Sequence, residues 1–237
     1  MPSIQTILAP QGAEYQAVCR GLRGLTQIPL VRAIPVGPAA VSRYLTRLQA
    51  AERLEQTAVL VMGLCGSLTA AQTVGDRVLY QDCCWHGTEE DTAPSSLLCD
   101  RTLTDSLSHQ LGITVPQVRA VTRDRLVISA ADKQQLAQQV GAAVVDMEGY
   151  AVLQTLGPAG VSIAMLRVVS DDSQHDLPDL SAAIGPEGTL KPLPLAWGMV
   201  RQPIAATRLI RGSLRGLKIL EQTTAELFGG NRATAIT

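Results

Sequence analysis

The chain is poor in aromatic side chains. Its 237 residues include one Phe, two Trp and four Tyr. Proteins that hold single strands without sequence preference stack bases on aromatic rings, and so few rings leave little material for such a platform. The formal net charge is −1, with charges spread along the chain and no basic amphipathic segment standing out. We therefore expect no nucleic-acid partner.

Cysteine is also scarce, and its spacing excludes two classes of small scaffold. The five cysteines are Cys19, Cys65, Cys83, Cys84 and Cys99. Their odd number and scattered positions fit neither a disulfide framework nor a zinc site, so we interpret them as small buried hydrophobes in a reducing compartment. The three histidines lack metal-like spacing. We expect no metal and no cofactor.

Long apolar runs are missing as well. No stretch of 18 uncharged apolar residues occurs, so we expect no integral membrane segment. The opening residues, "MPSIQTILAPQG", have neither a basic start nor a long apolar run, as a signal peptide would. A cytoplasmic location follows as an expectation.

What the chain does contain is an alternation of short apolar runs with helix-like segments. Strands are predicted over residues 6–10, 28–36, 57–64, 74–82, 142–147 and 160–169, and helices over 14–22, 39–53, 100–111, 132–140, 149–156 and 202–228. This alternation indicates an α/β fold, with one mixed central β-sheet flanked by helices, in a single domain over 1–228. Residues 173–194 are predicted to form a long loop of the kind that often acts as a lid, and 229–237 a frayed tail.

Polar residues and glycines follow four of the predicted strands. They are Glu14; the turn "GLCGSL" at 63–68; Asp146, Met147 and Glu148; and Ser170, Asp171 and Asp172. Ligands of open α/β sheets bind beyond the carboxyl ends of the strands, so these ends predict a pocket. Simpler interpretations stay open: Glu14 could complement a helix dipole, and Asp171 or Asp172 could be a turn residue. The glycine turn could be a tight turn or a cradle of N–H groups.

Two acids stand inside an apolar run, "GAAVVDMEGYAVLQTLG" at 141–157. A buried charge costs several kcal/mol or more unless it is paired or hydrogen-bonded. Period-2 alternation places Asp146 and Glu148 on one face around Met147. Asp146 is predicted to pair with Arg167 on the neighbouring strand end, whereas Glu148 is either exposed or held there for a purpose.

Taken together and in order, these segments resemble the nucleoside phosphorylase superfamily of purine nucleoside phosphorylases and nucleosidases. "VVDMEGYAVL" is similar to the Met-Glu ribose-binding segment of that family, and "LRVVSDDS" to its Arg-x-x-Ser-Asp strand end. "VMGLCGSLTAAQTVGDRVL" is similar to its glycine turn followed by Val-Gly-Asp. The resemblance implies a three-layer nucleoside phosphorylase-like fold and cleavage of an N-glycosidic bond.

The resemblance also implies roles for individual residues. Glu148 would hydrogen-bond the ribose 2′- and 3′-hydroxyls, and Met147 would pack under the sugar. Asp171 would donate a proton to purine N7, and Glu14 would activate the attacking water. Gly63, Cys65, Gly66 and Ser170 are the other predicted substrate-binding residues. An acid at the leaving group and help for the nucleophile are what an oxocarbenium-like transition state needs.

Hydrolysis and phosphorolysis differ in the need for an anion site with arginine forks. The hexameric bacterial phosphorylases have an Arg before the glycine turn and a Gly-Asp-Pro segment after the first strand. Here these positions read Val61 and "APQGAE". Together with Glu14, this favours water as the nucleophile. A purine or uridine phosphorylase with phosphate as co-substrate, and a non-catalytic nucleoside-binding member of the fold, remain the alternatives.

The closest resemblance over the glycine turn and Glu14 is to the methylthioadenosine/S-adenosylhomocysteine nucleosidases, which implies a 5′-modified adenine nucleoside and a homodimer or higher homo-oligomer. Those enzymes stack adenine on a Phe, whereas "VISAADKQQ" places Lys133 near that position and offers no aromatic ring. The C-terminal part resembles hopanoid-associated phosphorylase-like proteins, with Leu177–Pro178 and Pro203 in matching places. That resemblance implies an adenosyl-lipid as a further candidate substrate.

Overall fold

The computed structural model describes residues 4–51, 57–87, 95–112, 115–180 and 192–229. The strands are β1 Thr6–Pro10, β2 Leu30–Ile34, β3 Ala58–Ser67, β4 Arg77–Trp85, β5 Ser96–Leu98, β6 Gln117–Thr122, β7 Val144–Asp146 and β8 Ser162–Asp171. The helices are α1 Ala13–Gly21, α2 Pro38–Ala51, α3 Arg101–Gln110, α4 Ala130–Val140, α5 Gly149–Leu156, α6 Pro192–Arg201 and α7 Pro203–Gly229. A short 3-10 helix, Gly157–Ala159, follows α5.

Five strands of the sheet pair in a closed ring. β3 pairs with β8 in parallel, β8 with β4 antiparallel, β4 with β6 and β6 with β7 in parallel, and β7 with β3 antiparallel. β1 and β2 extend this ring beyond β3, and β5 adds to β4. The predicted mixed sheet is therefore confirmed, and its closure into a ring brings the ends of β3, β7 and β8 together.

Helices cover both faces of the sheet. Val41 and Val152, from α2 and α5, lie in one apolar cluster, while Val18, Leu103 and Leu220, from α1, α3 and α7, lie in another. β3 and β8 run between these layers as nearly continuous buried stretches, as expected of strands covered on both faces. The predicted three-layer α/β arrangement of helix, sheet and helix is confirmed.

Most predicted elements are present with shifted ends, but three were missed. β5, β6 and α6 have no counterpart in the sequence prediction. α6 corrects the predicted loop over 173–194, because Pro192 and Pro194 fall in the first turn of a helix, where proline is tolerated. Residues 181–191 of that loop, 52–53 of the predicted second helix and 230–237 of the predicted tail lie outside the described residues. Gly229 still belongs to α7.

The cysteines behave largely as the sequence indicated. All five are free thiols, and four of them, Cys65, Cys83, Cys84 and Cys99, are buried. Within the described part of the chain, no helix is long and apolar enough to cross a bilayer.

Candidate active site

A cavity of about 180 Å³ lies where the ends of β3, β7 and β8 meet. Its walls include seven of the predicted site residues: Glu14, Cys65, Gly66, Met147, Glu148, Ser170 and Asp171. Two larger grooves, of about 590 and 530 Å³, lie elsewhere on the surface, and neither is lined by a buried acid. The convergence of buried ionisable groups, rather than volume, therefore identifies the candidate site.

At one end of the cavity, Arg167 of β8 is surrounded by acids. The side chain is fully buried, and its Nη2 lies 3.0 Å from Asp146 Oδ2 and 3.5 Å from Glu148 Oε2. The predicted pairing of Asp146 with Arg167 is thus confirmed. Glu14 acts on Arg167 electrostatically as well, so we call these four residues the arginine cluster. Although burial opposes its charge, the acids and Tyr80 raise the pKa of Arg167, which stays a cation.

Asp146 is the most completely satisfied acid of the arginine cluster. Besides Arg167, its carboxylate accepts hydrogen bonds from Thr122 Oγ1 at 2.6 Å, Gly149 N at 3.1 Å and Tyr80 Oη at 3.4 Å. Asp146 therefore supplies the buried counter-charge for Arg167 and stabilises the connection between β7 and α5.

Glu148 and Glu14 are held less tightly. Glu148 stands at the N-terminus of α5 and accepts only a long bond of 3.4 Å from Gly37 N besides its contact with Arg167. Burial raises the pKa of Glu148 to about 8, against the opposing charge of Arg167, and Asp146 and Glu14 add to the rise. Burial also raises the pKa of Glu14, although Leu64 N donates to its Oε1 at 2.6 Å. One arginine cannot neutralise three buried acids, so the pKa values of Glu14 and Glu148 both lie above their ordinary value.

At the other end of the cavity, Lys133 faces Asp171, and we call these two residues the lysine pair. Lys133 lies in the first turns of α4 and is fully buried. Its Nζ donates to Asp171 Oδ2 at 2.5 Å and to the Asp172 carbonyl at 2.6 Å, while Ser170 Oγ donates to Asp171 Oδ1 at 3.0 Å. Burial raises the pKa of Asp171 above its ordinary value, and Lys133 and Ser170 act in the opposite direction. The sequence placed Lys133 near the position at which related nucleosidases stack adenine on a Phe, but it did not indicate the contact of Lys133 with Asp171.

The two consecutive aspartates after β8 have different surroundings. Asp171 lines the cavity, whereas the Asp172 carboxylate accepts from Gln174 N at 2.9 Å and contacts the ring of His175 at 2.9 Å. Asp172 therefore caps the following turn, and His175 is half exposed beside it. Of the two, Asp171 is the acid that a ligand in the cavity would meet.

The mouth of the cavity is formed by residues that sequence reasoning missed. They are Val36, Arg125, Leu126, Val127 and Leu177. Leu177 N donates to Ile128 O at 2.9 Å, which ties the segment after β8 to the segment after β6. Residues 125–127 follow the strand that was not predicted. Recognising β6 would have drawn attention to them, because the carboxyl end of a strand is where ligands bind.

Gly63 is the one predicted site residue that is not among the residues lining the cavity. A Cβ at this position would lie 2.3 Å from Arg167 Nη1 and 2.7 Å from Glu14 Oε1. Only glycine leaves space for both side chains, so Gly63 shapes the arginine cluster. Its predicted contact with substrate stays a prediction.

Cys65 lies in the cavity wall opposite Val169 of β8. Burial strongly raises the pKa of its thiol, which therefore stays protonated. An uncharged thiol is a poor nucleophile, so Cys65 contributes packing and shape rather than covalent chemistry.

Comparison with known proteins identifies the family. The model of the phosphorylase superfamily matches residues 11–184, and the chain belongs to this superfamily. This confirms the predicted family and, with it, the predicted class, enzymes that act on nucleosides. No curated protein sequence matches the chain significantly.

Solved structures show the same fold at low sequence identity. Futalosine hydrolase of Helicobacter pylori is 16% identical with a TM-score of 0.69, and the alignment covers 95% of this chain and 97% of that one. The 5′-methylthioadenosine/S-adenosylhomocysteine nucleosidase of the same organism is 17% identical, with a TM-score of 0.66 and 95% of each chain covered. S-adenosylhomocysteine nucleosidase of Streptococcus pyogenes is 16% identical, with a TM-score of 0.66 and coverages of 96% and 98%.

Proposed function

We propose that the protein is a nucleosidase that hydrolyses the N-glycosidic bond of a purine nucleoside carrying a modified 5′ position. One observation carries this: a single small cavity brings together two raised-pKa glutamates at one end and a lysine-paired aspartate at the other. Titratable groups held apart in distinct environments are the arrangement that acid and base catalysis needs. Of the named relatives of known structure, two are termed nucleosidases and the third is a futalosine hydrolase.

In this mechanism the arginine cluster binds the sugar and prepares the water. Glu148 accepts hydrogen bonds from the ribose 2′- and 3′-hydroxyls, with Met147 under the ring. Those two donors would favour the ionised form of Glu148, whose pKa is raised to about 8 without them. Glu14 removes a proton from the attacking water, and its raised pKa makes it a stronger base.

The lysine pair acts on the leaving base. Asp171 donates a proton to N7 of the purine as the glycosidic bond breaks, and the base leaves as a neutral molecule. The Lys133 ammonium, 2.5 Å from Asp171 Oδ2, is placed to replace that proton. Lys133 thereby acts through Asp171 and is a positioning residue. Proton transfer of this type contributes ~10²–10⁴-fold to the rate.

Water is favoured over phosphate because the cavity is acidic. The described residues that line it include four acids, Glu14, Asp146, Glu148 and Asp171, and a single arginine, Arg125. Arg125 is exposed at the mouth, and the buried Arg167 behind the wall is already engaged by Asp146. A phosphate anion would therefore meet repulsion at the position where Glu14 lies.

The preferred base is adenine, as the resemblance to the methylthioadenosine/S-adenosylhomocysteine nucleosidases implies. The candidate 5′ groups are those of methylthioadenosine, S-adenosylhomocysteine and an adenosyl-lipid. No described aromatic side chain lines the cavity, so the base would pack between aliphatic residues of the mouth such as Leu126, Val127 and Leu177. A homodimer and a cytoplasmic location complete the proposal.

The test is a panel of nucleosides incubated with and without phosphate, with the released base measured. We expect methylthioadenosine, S-adenosylhomocysteine or an adenosyl-lipid to release adenine in phosphate-free buffer, and inosine to be a poorer substrate. Release only with phosphate would move the assignment to a phosphorylase. Tight binding of adenosine analogues without turnover would indicate a non-catalytic nucleoside-binding protein.

Two alanine variants from the same segment provide the matched contrast. Glu148→Ala removes the proposed sugar contact and should raise KM and lower kcat/KM strongly, while the protein stays folded. Asp146→Ala removes the counter-charge of Arg167 and should mainly lower stability. Unchanged turnover by Glu148→Ala would refute the assignment of the sugar-binding end.

A further inference from the structure

The surface formed by α6 and the first half of α7 combines exposed apolar side chains with positive charge. Leu193, Trp197, Val200 and Ile204 are 82%, 64%, 72% and 76% exposed. Large apolar residues this exposed and this close in sequence mark an interaction site when they form one face. We define the docking face as these four residues together with Arg201, Arg208, Arg211 and Arg215.

Helical spacing places the apolar residues together. Leu193, Trp197 and Val200 are four and three residues apart in α6, which puts them on one side of that helix. The opposite side of α6 packs against the body of the protein, because a Cβ at Gly198 would lie 2.6 Å from the Asp179 carbonyl. The apolar side chains therefore point away from the fold.

The charge along α6 and the first half of α7 is of one sign, whereas Asp172 and Asp176 line a neighbouring cleft with Arg208. Residues 192–220 contain four Arg and one Lys and no acidic residue, in a chain whose net charge is −1. All five cations, Arg201, Arg208, Arg211, Arg215 and Lys218, are exposed. No basic amphipathic helix was expected from the sequence. The structure corrects this, because the cations lie together on α6 and α7. Apolar residues separate the cations along the sequence, and the turns of the helix bring them together on one surface.

Three of the arginines share a groove. Arg208, Arg211 and Arg215 line a depression of about 590 Å³ together with Ile204. Their spacing of three and four residues makes them a single stripe of α7. In addition, the Arg201 guanidinium lies 5.6 Å from the centroid of the Trp197 ring, so a cation and an aromatic ring stand side by side at the edge of the face.

We propose that this docking face binds the surface of an anionic lipid bilayer. The aliphatic and indole side chains would enter the boundary between head groups and acyl chains, and the arginine stripe would meet the lipid phosphates. A helix with Trp and Leu beside Arg is the composition expected of interfacial binding. Because an anionic surface attracts each cation close to it, the four arginines and four apolar anchors of the docking face together support reversible attachment.

A second copy of the chain is a poorer occupant. A twofold interface places the same surface patch on both subunits, so the arginine stripe of one copy would meet that of the other. Juxtaposed like charges are costly in an interface. Nucleic acid fits the cations but not the aliphatic residues, which neither stack on bases nor hydrogen-bond to them.

The docking face borders the candidate site. Arg208 lies in the same small cleft as Asp171 and Leu177, and Gly212 of α7 packs directly on the Ser170 carbonyl, where a Cβ would lie 2.1 Å away. Attachment through this face would thus hold the strand end that carries Asp171 next to the bilayer. The binding itself does not depend on the proposed reaction.

The test is flotation of the purified full-length protein with phosphatidylcholine vesicles, with and without phosphatidylglycerol. We expect flotation only with phosphatidylglycerol. Arg211→Glu/Arg215→Glu should weaken it by at least roughly tenfold, and Val200→Glu/Ile204→Glu should abolish it. The matched control is Arg101→Glu, a change of charge at a side chain that is 92% exposed on another helix, and it should float like the parent.

Fluorescence gives an independent readout, since the chain has two tryptophans. Trp85→Phe leaves Trp197 as the only one, and its emission should shift to the blue on anionic vesicles. Absence of flotation, or equal flotation of Arg211→Glu/Arg215→Glu, would overturn the proposal. So would a dimer that Val200→Glu/Ile204→Glu converts to monomer, or displacement from vesicles by a single-stranded oligonucleotide.

Discussion

The two ends of the candidate site hold two fully buried cations in different ways. Arg167 faces three acids, and the one nearest to it, Asp146, accepts hydrogen bonds from three further residues. Lys133 faces one acid, Asp171, which lines the cavity and, among the described residues, accepts one further hydrogen bond, from Ser170 Oγ. The central ion pair of the arginine cluster is therefore held by more groups than the lysine pair, which is the end where we propose proton transfer.

Within one cavity, the ion pair of Arg167 with Asp146 therefore has a structural role, and the lysine pair is the end to which we assign chemistry. A buried ion pair whose carboxylate accepts hydrogen bonds from several further groups is costly to break. Asp171 is held by fewer groups, the Lys133 side chain at 2.5 Å and the Ser170 hydroxyl at 3.0 Å, and a ligand in the cavity would contact it directly. The acids that Arg167 leaves incompletely neutralised, Glu14 and Glu148, resemble Asp171 in this respect, and all three have raised pKa values.

The largest effect on activity is expected at the lysine pair. Asp171→Asn keeps the shape of the side chain but removes the carboxyl proton, so kcat for base release should fall by ~10²–10⁴-fold. The measurement is steady-state release of the purine in phosphate-free buffer. Asp172→Asn is the matched control, because Asp172 caps a turn, and its kcat should stay within a few-fold of the parent.

Asp171→Asn also leaves the buried Lys133 without its acidic partner, which could destabilise the fold. A double variant distinguishes a loss of folding from a loss of catalysis. Asp171→Asn/Lys133→Met has no unpaired charge at this end and should be folded and inactive. Recovered activity in the double variant would show that Asp171 is not the proton donor.

The largest effect on stability is expected at the arginine cluster. Arg167→Met leaves Asp146 buried without its counter-charge, so the free energy of unfolding should fall by about 3–5 kcal/mol. Urea denaturation measures this. Arg20→Met is the control, because Arg20 also pairs with an acid, Glu221, at 2.7 Å, but the two side chains are 36% and 38% exposed. Loss of this exposed pair should lower the free energy of unfolding by about 1 kcal/mol or less. An equal loss in both variants would mean that the arginine cluster has no special structural role.

The sequence predicted the arginine cluster better than the lysine pair, for a physical reason. Asp146 and Glu148 are unusual in an apolar run, and period-2 alternation places them on one face beside the end of β8. Local pattern was enough to predict the contact of Asp146 with Arg167. The contact of Lys133 with Asp171 joins α4 to β8, and nothing within either segment encodes it.

The same limit explains which elements of the fold were missed. β1 and α5 were predicted to the residue, because each is a well-bounded apolar stretch. β6 has a charged residue, Arg119, between its valines, and it is recognisable only through its partners β4 and β7. Ring closure of the sheet likewise depends on pairings between distant strands, which hydrophobic periodicity does not reveal.

A smaller effect, on pH dependence, would sharpen the role of Lys133. Its charge favours the ionised form of Asp171, so Lys133→Met should raise the pKa of Asp171 further. Because the proposed mechanism requires protonated Asp171, the alkaline limb of kcat/KM should move to higher pH by roughly 1–3 units. Lys133→Arg retains the charge and should leave the limb near its original position. A limb that does not move in Lys133→Met would mean that another group is being titrated.

The smallest effect is a change in how stability depends on pH at the arginine cluster. The pKa of Glu148 is raised from an ordinary 4.5 to about 8 in the folded state, so the folded protein binds more protons in that interval. Stability is then fully present below pH 4.5 and is lost as pH rises through about 8. Glu148→Gln cannot ionise, so its melting temperature should fall less over this range, by roughly 2–4 °C if about 1 kcal/mol is involved.

Thermal unfolding of the parent and Glu148→Gln across this range measures the difference. Glu226→Gln is the control, since Glu226 lies at the surface in an ion pair with Arg77 and should leave the slope of the parent unchanged. A steeper slope in Glu148→Gln than in the parent would mean that Glu148 is ionised in the free protein and fully neutralised by Arg167. Glu14 would then be the one acid of the arginine cluster that Arg167 leaves incompletely neutralised, and the contrast with the lysine pair would be sharper.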